Sequence, residues 1–188
     1  MANLSGQMFV GERVRLTAMR PEDVPVVTRW YEDSEFSRMF DSRIAYPRTE
    51  NRMRGWVTDS SDGKEAFMFG IRPVDDEALI GIIDLDGIAW NHRSAWMSVA
   101  IGDMDNRGKG YGREAIQLML RFAFRELNLH RVQLTVFSYN TRAIRLYESL
   151  GFVREGVQRE SLLREGQWHD TYNYAILEQE WRAMNNAR

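Results

Sequence analysis

The chain contains no cysteine, which removes disulfides, thiol nucleophiles and thiolate metal sites from consideration at once. Histidine is nearly as scarce: His92, His130 and His169 are the three present, and none stands at the spacing of a zinc motif. Charge of one sign is also lacking. The net charge of −2 is too small for a protein held on nucleic acid mainly by phosphate neutralisation. No apolar run approaches membrane-spanning length, and no basic-then-apolar leader opens the chain, so a cytoplasmic location with no membrane and no nucleic-acid partner is expected. Internal repeats, low-complexity tracts and Pro/Ser-rich linkers are missing too. What is present is 188 residues, 44% hydrophobic and 28% charged, the composition of an ordinary globular protein with a sizeable core. One domain over residues 1–188 is the expectation.

Periodicity divides the chain into elements. Alternation predicts strands over residues 13–17, 66–71, 79–85, 95–102 and 132–136, with a closing pair over 153–163 and 168–177 around the turn Glu165-Gly166-Gln167. Helices are predicted over 21–31, opened by Pro21-Glu22-Asp23, and over 49–58, ended by the polar stretch 59–63. A third covers 113–127, where Ala115, Leu118, Met119, Phe122, Ala123 and Leu127 form one apolar stripe. A fourth runs over 141–150 between Asn140 as N-cap and Gly151 as terminator. Strands joined through the later helices should be parallel and those joined by turns antiparallel, giving a mixed α/β sheet with helices on both faces.

The glycine-rich stretch Arg107-Gly108-Lys109-Gly110-Tyr111-Gly112 sits between the fourth strand and the long amphipathic helix. Uncovered backbone N–H groups and the helix dipole at such a turn attract an anion, which points to phosphate or pyrophosphate. Gly110 to Ala115 fits the dinucleotide pattern formally, but the next strand ends Val136-Phe137-Ser138 without the acid that would hold a ribose. The nucleotide-triphosphate loop, which needs Gly-Lys-Ser/Thr, is not there. A second cluster follows one strand later: Asn140, Ala143, Tyr147 and Gly151-Phe152. Two parallel strands that each feed a helix bring both helix N-termini to the same sheet edge. Asn140 and Tyr147, seven apart, share a helix face, so a phenol would point at the cleft beside the phosphate loop.

These residues carry a resemblance. Arg107-x-x-Gly110-x-Gly112 resembles the acetyl-CoA signature of the GCN5-related N-acetyltransferase (GNAT) superfamily, and residues 138–152 resemble its second CoA motif. Leu129-His130-Arg131-Val132 and the closing residues 165–170 resemble the ribosomal-protein N-terminal acetyltransferase (RimJ/RimL-type) branch. The resemblance implies a mostly antiparallel sheet of six to seven strands, splayed between strands 4 and 5. It also implies direct acetyl transfer from acetyl-CoA, as co-substrate and without a metal, to a primary amine on a protein N-terminus or small molecule. A catalytically silent acetyl-CoA-binding or regulatory domain and a polyamine or aminoglycoside acetyltransferase are the alternatives, and a homodimer is compatible with it.

By that resemblance the cofactor-binding residues are Arg107, Gly108, Lys109, Gly110, Tyr111, Gly112 and Arg113 around the pyrophosphate, with Val99, Ala100 and Ile101 along the pantetheine arm. Two roles stay open for Asn140, cap or CoA contact, and two for Arg142 and Arg145, adenosine-phosphate contacts or solvated charges. Tyr147 is the expected general acid for the departing thiolate; a phenol (about 10) and a thiol (about 8.5) lie close enough in strength to be matched. The general base has no obvious bearer. Many members of the branch place a glutamate on the fourth strand where this chain has Trp96. Asp84 and Asp86, on one face of the preceding strand, and Ser138 are the remaining choices. For the acceptor, the resemblance implies a pocket built by the first two helices and the last hairpin. Here these offer Trp30, Tyr31, Phe36, Phe40, Tyr46 and Trp56 with Trp168, His169 and Tyr172 opposite, half of them read as simply core. The acids Glu32, Asp33, Glu35 and Asp41 are either acceptor contacts or a solvated segment.

Overall fold

A computed structural model describes residues 7–59 and 66–186; the polar stretch expected to close the second helix lies largely outside these. The described residues form fourteen elements. Strand β1 (Val14–Ala18) is followed by helices α1 (Asp23–Trp30), α2 (Ser34–Phe40) and α3 (Glu50–Asp59). Three strands follow, β2 (Phe67–Pro73), β3 (Gly81–Ala89) and β4 (Ser94–Ile101), and then a single 3-10 turn at Met104–Asn106. The chain continues through α4 (Tyr111–Arg125), β5 (Arg131–Phe137), α5 (Thr141–Ser149), β6 (Val153–Arg164), β7 (Gln167–Leu177) and α6 (Glu178–Asn186).

The strands form one sheet in the order β1-β2-β3-β4-β5-β7-β6. Every neighbouring pair is antiparallel except β4 and β5, which the α4 crossover makes parallel. That parallel pair is short. It holds at Ser94↔Arg131, Ala95↔Val132 and Trp96↔Gln133, after which residues 97–101 and 134–137 continue unpaired with each other. The expected mixed α/β sheet, splayed between its fourth and fifth strands, is therefore what forms.

Both faces are covered. On one, the α4 stripe of Ala115, Leu118, Met119, Phe122 and Ala123 packs with Ile83, Leu85, Ala95 and Met97, and Tyr147 and Leu150 of α5 extend the same cluster. On the other, Val24, Val27 and Trp30 of α1 and Met53 and Val57 of α3 pack with Ile82 and Ala100. Alternation along β3 assigns Ile83 and Leu85 to the first face and Ile82, Asp84 and Asp86 to the second.

Two helices escaped the sequence reading. In α2 the seven residues are too few for a periodic stripe, although Asp33 caps it by accepting from the Glu35 N–H at 2.8 Å. In α6 the helix starts directly at the end of β7 with no turn residue to announce it. Helix α1 is tied to the sheet by a buried ion pair: the Arg72 guanidinium donates to both Asp23 carboxylate oxygens at 2.7 Å and through Nε to Thr17 Oγ1 at 3.0 Å. Both side chains are nearly inaccessible, so removing one strands the other's charge. Arg72→Ala is expected to lower the unfolding free energy by about 3–5 kcal/mol in urea titration.

Candidate functional site

The parting strands open a cleft of about 550 Å³. Its walls come from four places: the free edge of β4, the glycine loop with the start of α4, one face of α5 along its length with Tyr139 and Asn140 before it, and helix α2. Of the residues expected around the cofactor, Val99, Ala100, Ile101, Arg107, Gly108, Gly110, Tyr111, Gly112, Arg113 and Asn140 all line it, together with Tyr147. Lys109 does not; it lies on the outer side of the loop, in a neighbouring hollow with Arg13 and Arg113.

The β4 edge supplies directed donors. The Gly102 N–H donates to the Ile80 carbonyl of the β2–β3 connection at 3.0 Å. By alternation the Ala100 amide also turns toward β3, while those of Val99 and Ile101 turn into the gap. Ala100 thus reaches the cleft with its side chain rather than its amide. The Ile101 carbonyl is engaged by Arg107, whose Nε donates to it at 3.3 Å and whose NH2 donates to the Gly102 carbonyl at 2.9 Å. Glu35 of α2 stands 3.7 Å from the same guanidinium. Arg107 therefore ties the end of β4, the loop and α2 together.

The loop has the shape of an anion cradle. Gly108 (φ 81°) and Gly110 (φ 87°) are left-handed, and Gly110 is the N-cap of α4 without any side-chain cap, so the first-turn amides of α4 stay available. Gly112 is different: its φ is ordinary, and a Cβ there would project between Ile101 and Leu146 at 3.7 and 3.9 Å, narrowing the slot instead of straining the backbone. Behind the loop, Arg13 NH1 donates to the Lys109 carbonyl at 2.9 Å. The Glu114 carboxylate, on the first turn of α4, accepts the backbone N–H groups of Glu12, Arg13 and Val14 at 2.6, 2.9 and 2.9 Å. This clasp between the N-terminal strand and the loop had no sequence signal, because its partners are about a hundred residues apart.

On α5, the Asn140 side chain accepts from the Ala143 N–H at 3.2 Å, so it is an N-cap, and it also borders the cleft. Arg142 and Arg145 line the cleft as well, with Arg142 NH2 beside Gly108. Tyr147 is 7% exposed, packs edge-on against Phe152 with centroids 5.7 Å apart, and has no hydrogen-bond partner for its hydroxyl among the described residues. Burial pushes its phenol up to about 12. It is thus protonated throughout the neutral range, though less closely matched to a thiol than an unperturbed phenol.

On the side where an acceptor pocket was expected, helix α2 borders the cleft, and the β6–β7 hairpin lies beyond it without lining it. Trp30, Tyr31 and Phe36 are core residues, although Phe36 also reaches the cleft with Met39 and Phe40. Tyr46 and Trp168 are exposed. Tyr139, which the sequence reading left without a role, lines the cleft, donates to the Arg38 carbonyl at 2.5 Å and meets His169 edge-on at 5.0 Å. Asp41 is bridged by Arg48 at 2.7 Å and Arg43 at 3.1 Å. Burial acts to raise its pKa, but the hydrogen bonds from these two arginines prevail and hold it below the usual carboxylate range. Arg48 in turn stacks 3.8 Å above the Tyr31 ring. Arg164 donates to the carbonyls of Asp41, Ser42 and Arg43 at 3.0, 3.1 and 3.1 Å.

Residues 13–153 match the family model described as an acetyltransferase (GNAT) domain. The chain belongs to the GNAT acetyltransferase family. It is 33% identical over 173 residues to the SPbeta prophage-derived uncharacterized N-acetyltransferase YokL of Bacillus subtilis, covering 92% of this chain and 94% of that protein. It is 27% identical over 142 residues to the [ribosomal protein uS5]-alanine N-acetyltransferase of Escherichia coli, covering 75% and 73%. The spermidine N-acetyltransferase of Vibrio cholerae, solved in complex with CoA and spermine, superimposes with a TM-score of 0.82 at 25% identity, covering 92% of this chain and 99% of that one. This GNAT chain is accordingly an N-acetyltransferase, and the cleft between β4 and β5 is its candidate active site.

Two outcomes follow from the local geometry. Gly110→Ala forces an L side chain into the left-handed region with Arg13 NH1 only 3.2 Å from the new Cβ; thermal unfolding should report a loss of about 1–2 kcal/mol. Asp84 is 7% exposed, and burial, reinforced by the neighbouring Asp86 charge, pushes its carboxyl up to about 7. A folded pKa above the unfolded one of 3.8 means a contribution to stability that is full below pH 3.8 and gone above pH 7. The unfolding free energy of the wild type minus that of Asp84→Asn should therefore decline between those two pH values and be flat beyond pH 7.

Proposed function

We propose that this N-acetyltransferase uses acetyl-CoA and passes the acetyl group directly to a primary amine, with Tyr147 as the acid that protonates the departing thiolate. The observation that carries this reading is the convergence, in one cleft, of free β4 amides, a left-handed glycine loop opening α4, and the unpartnered Tyr147 hydroxyl. The residues fit the co-substrate. Left-handed glycines expose the loop amides to a pyrophosphate, and Arg142 and Arg145 add positive charge at the same mouth. The Val99 and Ile101 amides can pair with an extended pantetheine arm as a missing strand would, and one of them can donate to the thioester oxygen as negative charge develops there. The amine attacks the thioester carbonyl carbon, the C–N bond forms, the C–S bond breaks, and the sulfur takes the Tyr147 proton.

For the acceptor, a protein N-terminus or a compact small-molecule amine is the reading best supported, in line with a RimJ/RimL-type relationship. A polycation needs free carboxylates along its path. Here Asp41 is spent on two arginines, Asp33 on the α2 cap, and Trp96 stands 40% exposed where a glutamate is common in the branch. The likeness to the Vibrio spermidine enzyme supports a polyamine as the second reading. Self-association belongs to the same proposal. Leu163 and Trp168, paired near the turn of the β6–β7 hairpin, are exposed apolar side chains that a homodimer would cover, and light scattering would report the dimer.

Thiol release from acetyl-CoA, measured with an alanine-initiated peptide, spermidine and an aminoglycoside, separates the acceptors. The peptide is expected to give the highest kcat/KM; preference for spermidine would select the second reading. Tyr147→Phe should lower kcat by roughly 10²–10⁴-fold and leave acetyl-CoA affinity in calorimetry unchanged. Wild-type turnover in that variant would remove Tyr147 from the reaction.

A further inference from the structure

Among the described residues two aspartates are buried, and they are treated differently. Asp23 is matched by Arg72. Asp84 has no cation among the described residues; its carboxylate accepts the Ser98 N–H at 3.2 Å and is reached by the Ser98 side chain, both neutral donors. A buried carboxylate left in this state costs stability, and replacement by a neutral side chain would relieve the cost. Structural need does not account for it.

Its position suggests the reason. In the β3–β4 register Asp84 stands opposite Ser98 and Asp86 opposite Trp96. Asp84 is therefore one strand spacing, roughly 4.8 Å, inward from the β4 edge that offers the Val99 and Ile101 amides. It shares a sheet face with Ala100, whose side chain lines the cleft on the side framed by α2. That side lies opposite the α4–α5 side that holds the loop, and on the acetyltransferase reading it is the one left for the acceptor. Asp84 also lies two residue pairs along the ladder from Trp96, on the same face, the position where other members of the branch carry a carboxylate.

The groups around it are few. Met68 faces it from β2 and Ser98 from β4, while the helical layer over this face brings apolar side chains and the Tyr31 phenol. Asp86, exposed on the same strand face, is the one charge acting on it.

We infer that Asp84 is the proton acceptor for the incoming amine, reached through water, and that it replaces from β3 the carboxylate that Trp96 displaces from β4. The substrate ammonium gives one proton to the Asp84 carboxylate and attacks as a free amine. As the amide forms, nitrogen loses a second proton, which restores the Tyr147 phenol after its own proton has gone to sulfur, and Asp84 returns the first proton to solvent. With burial holding the carboxyl near 7, the group changes state in the range where such a base works best.

This inference rests on the acetyltransferase reading above, and the experiment separates the two. The peptide, spermidine and aminoglycoside panel is run from pH 5.5 to 9.5 by thiol release, on whichever amine the wild type turns over fastest. Wild-type kcat/KM should fall below about pH 7 with a single inflection. Asp84→Asn should lower kcat by about 10²-fold or more, remove that inflection and bind acetyl-CoA unchanged in calorimetry. Asp84→Asn/Trp96→Glu should recover part of the turnover, with the inflection moved toward the ordinary glutamate range of about 4.3. Wild-type turnover and inflection in Asp84→Asn, or no recovery in the double variant, would overturn the role of Asp84 alone. Absence of acetyl-CoA binding by the wild type, or of thiol release with every amine, would overturn the acetyltransferase reading itself.

Discussion

The parting of β4 from β5 is the constraint on which the rest of this molecule depends. The two strands pair over three positions and then separate, and backbone groups that a sheet would normally satisfy are left facing a gap. Burying them there without partners would be costly, so the gap has to remain open to solvent or be filled by a ligand that brings its own hydrogen-bonding groups. A parallel connection through α4 makes this possible, because it brings the N-termini of α4 and α5 to the end of the sheet where the strands diverge. The same parting places Tyr147 on the cleft wall, since α5 begins where β5 ends.

The two sides of the gap are built by different physics. On the cofactor side the backbone does the work: left-handed glycines, an uncapped helix start, and two free strand amides. Side chains there mostly hold the backbone in shape. Arg107 grips the carbonyls at the end of β4, Arg13 grips the Lys109 carbonyl, and Glu114 gathers three consecutive amides from the N-terminal strand. On the α2 side the side chains dominate, and most of their charge is spent internally. Asp41 is bridged by two arginines, and Arg164 is committed to the carbonyls that follow α2. Asp84 departs from this pattern, a carboxylate buried beside the gap with only the neutral donors of Ser98 as partners.

Much of the fold was legible because its signals are local. Seven strands, the stripe of α4, the Asn140 cap and the glycine loop are each written within a few residues, and the two CoA-type motifs stand in the right order. Helix α2 was not legible as a helix, since seven residues complete barely two turns, yet Glu35, Phe36 and Phe40 from it had been placed near the acceptor. Met39 and Tyr139 carried no pattern of their own. The Glu114 clasp and the Arg164 contacts join residues more than a hundred positions apart and leave no periodic trace.

The sequence by itself determined the chemistry that the backbone can offer: glycines at 108 and 110 permit the left-handed turns, and alternation in β3 commits Asp84 and Asp86 to one face. Which of those aspartates is buried, and whether a cation accompanies it, was decided only by the tertiary structure. Desolvation depends on what packs over a side chain, and that layer comes from helices distant in sequence. The same holds for Tyr147, whose phenol the sequence aims at the cleft but whose strength as an acid is set by the core that closes around it.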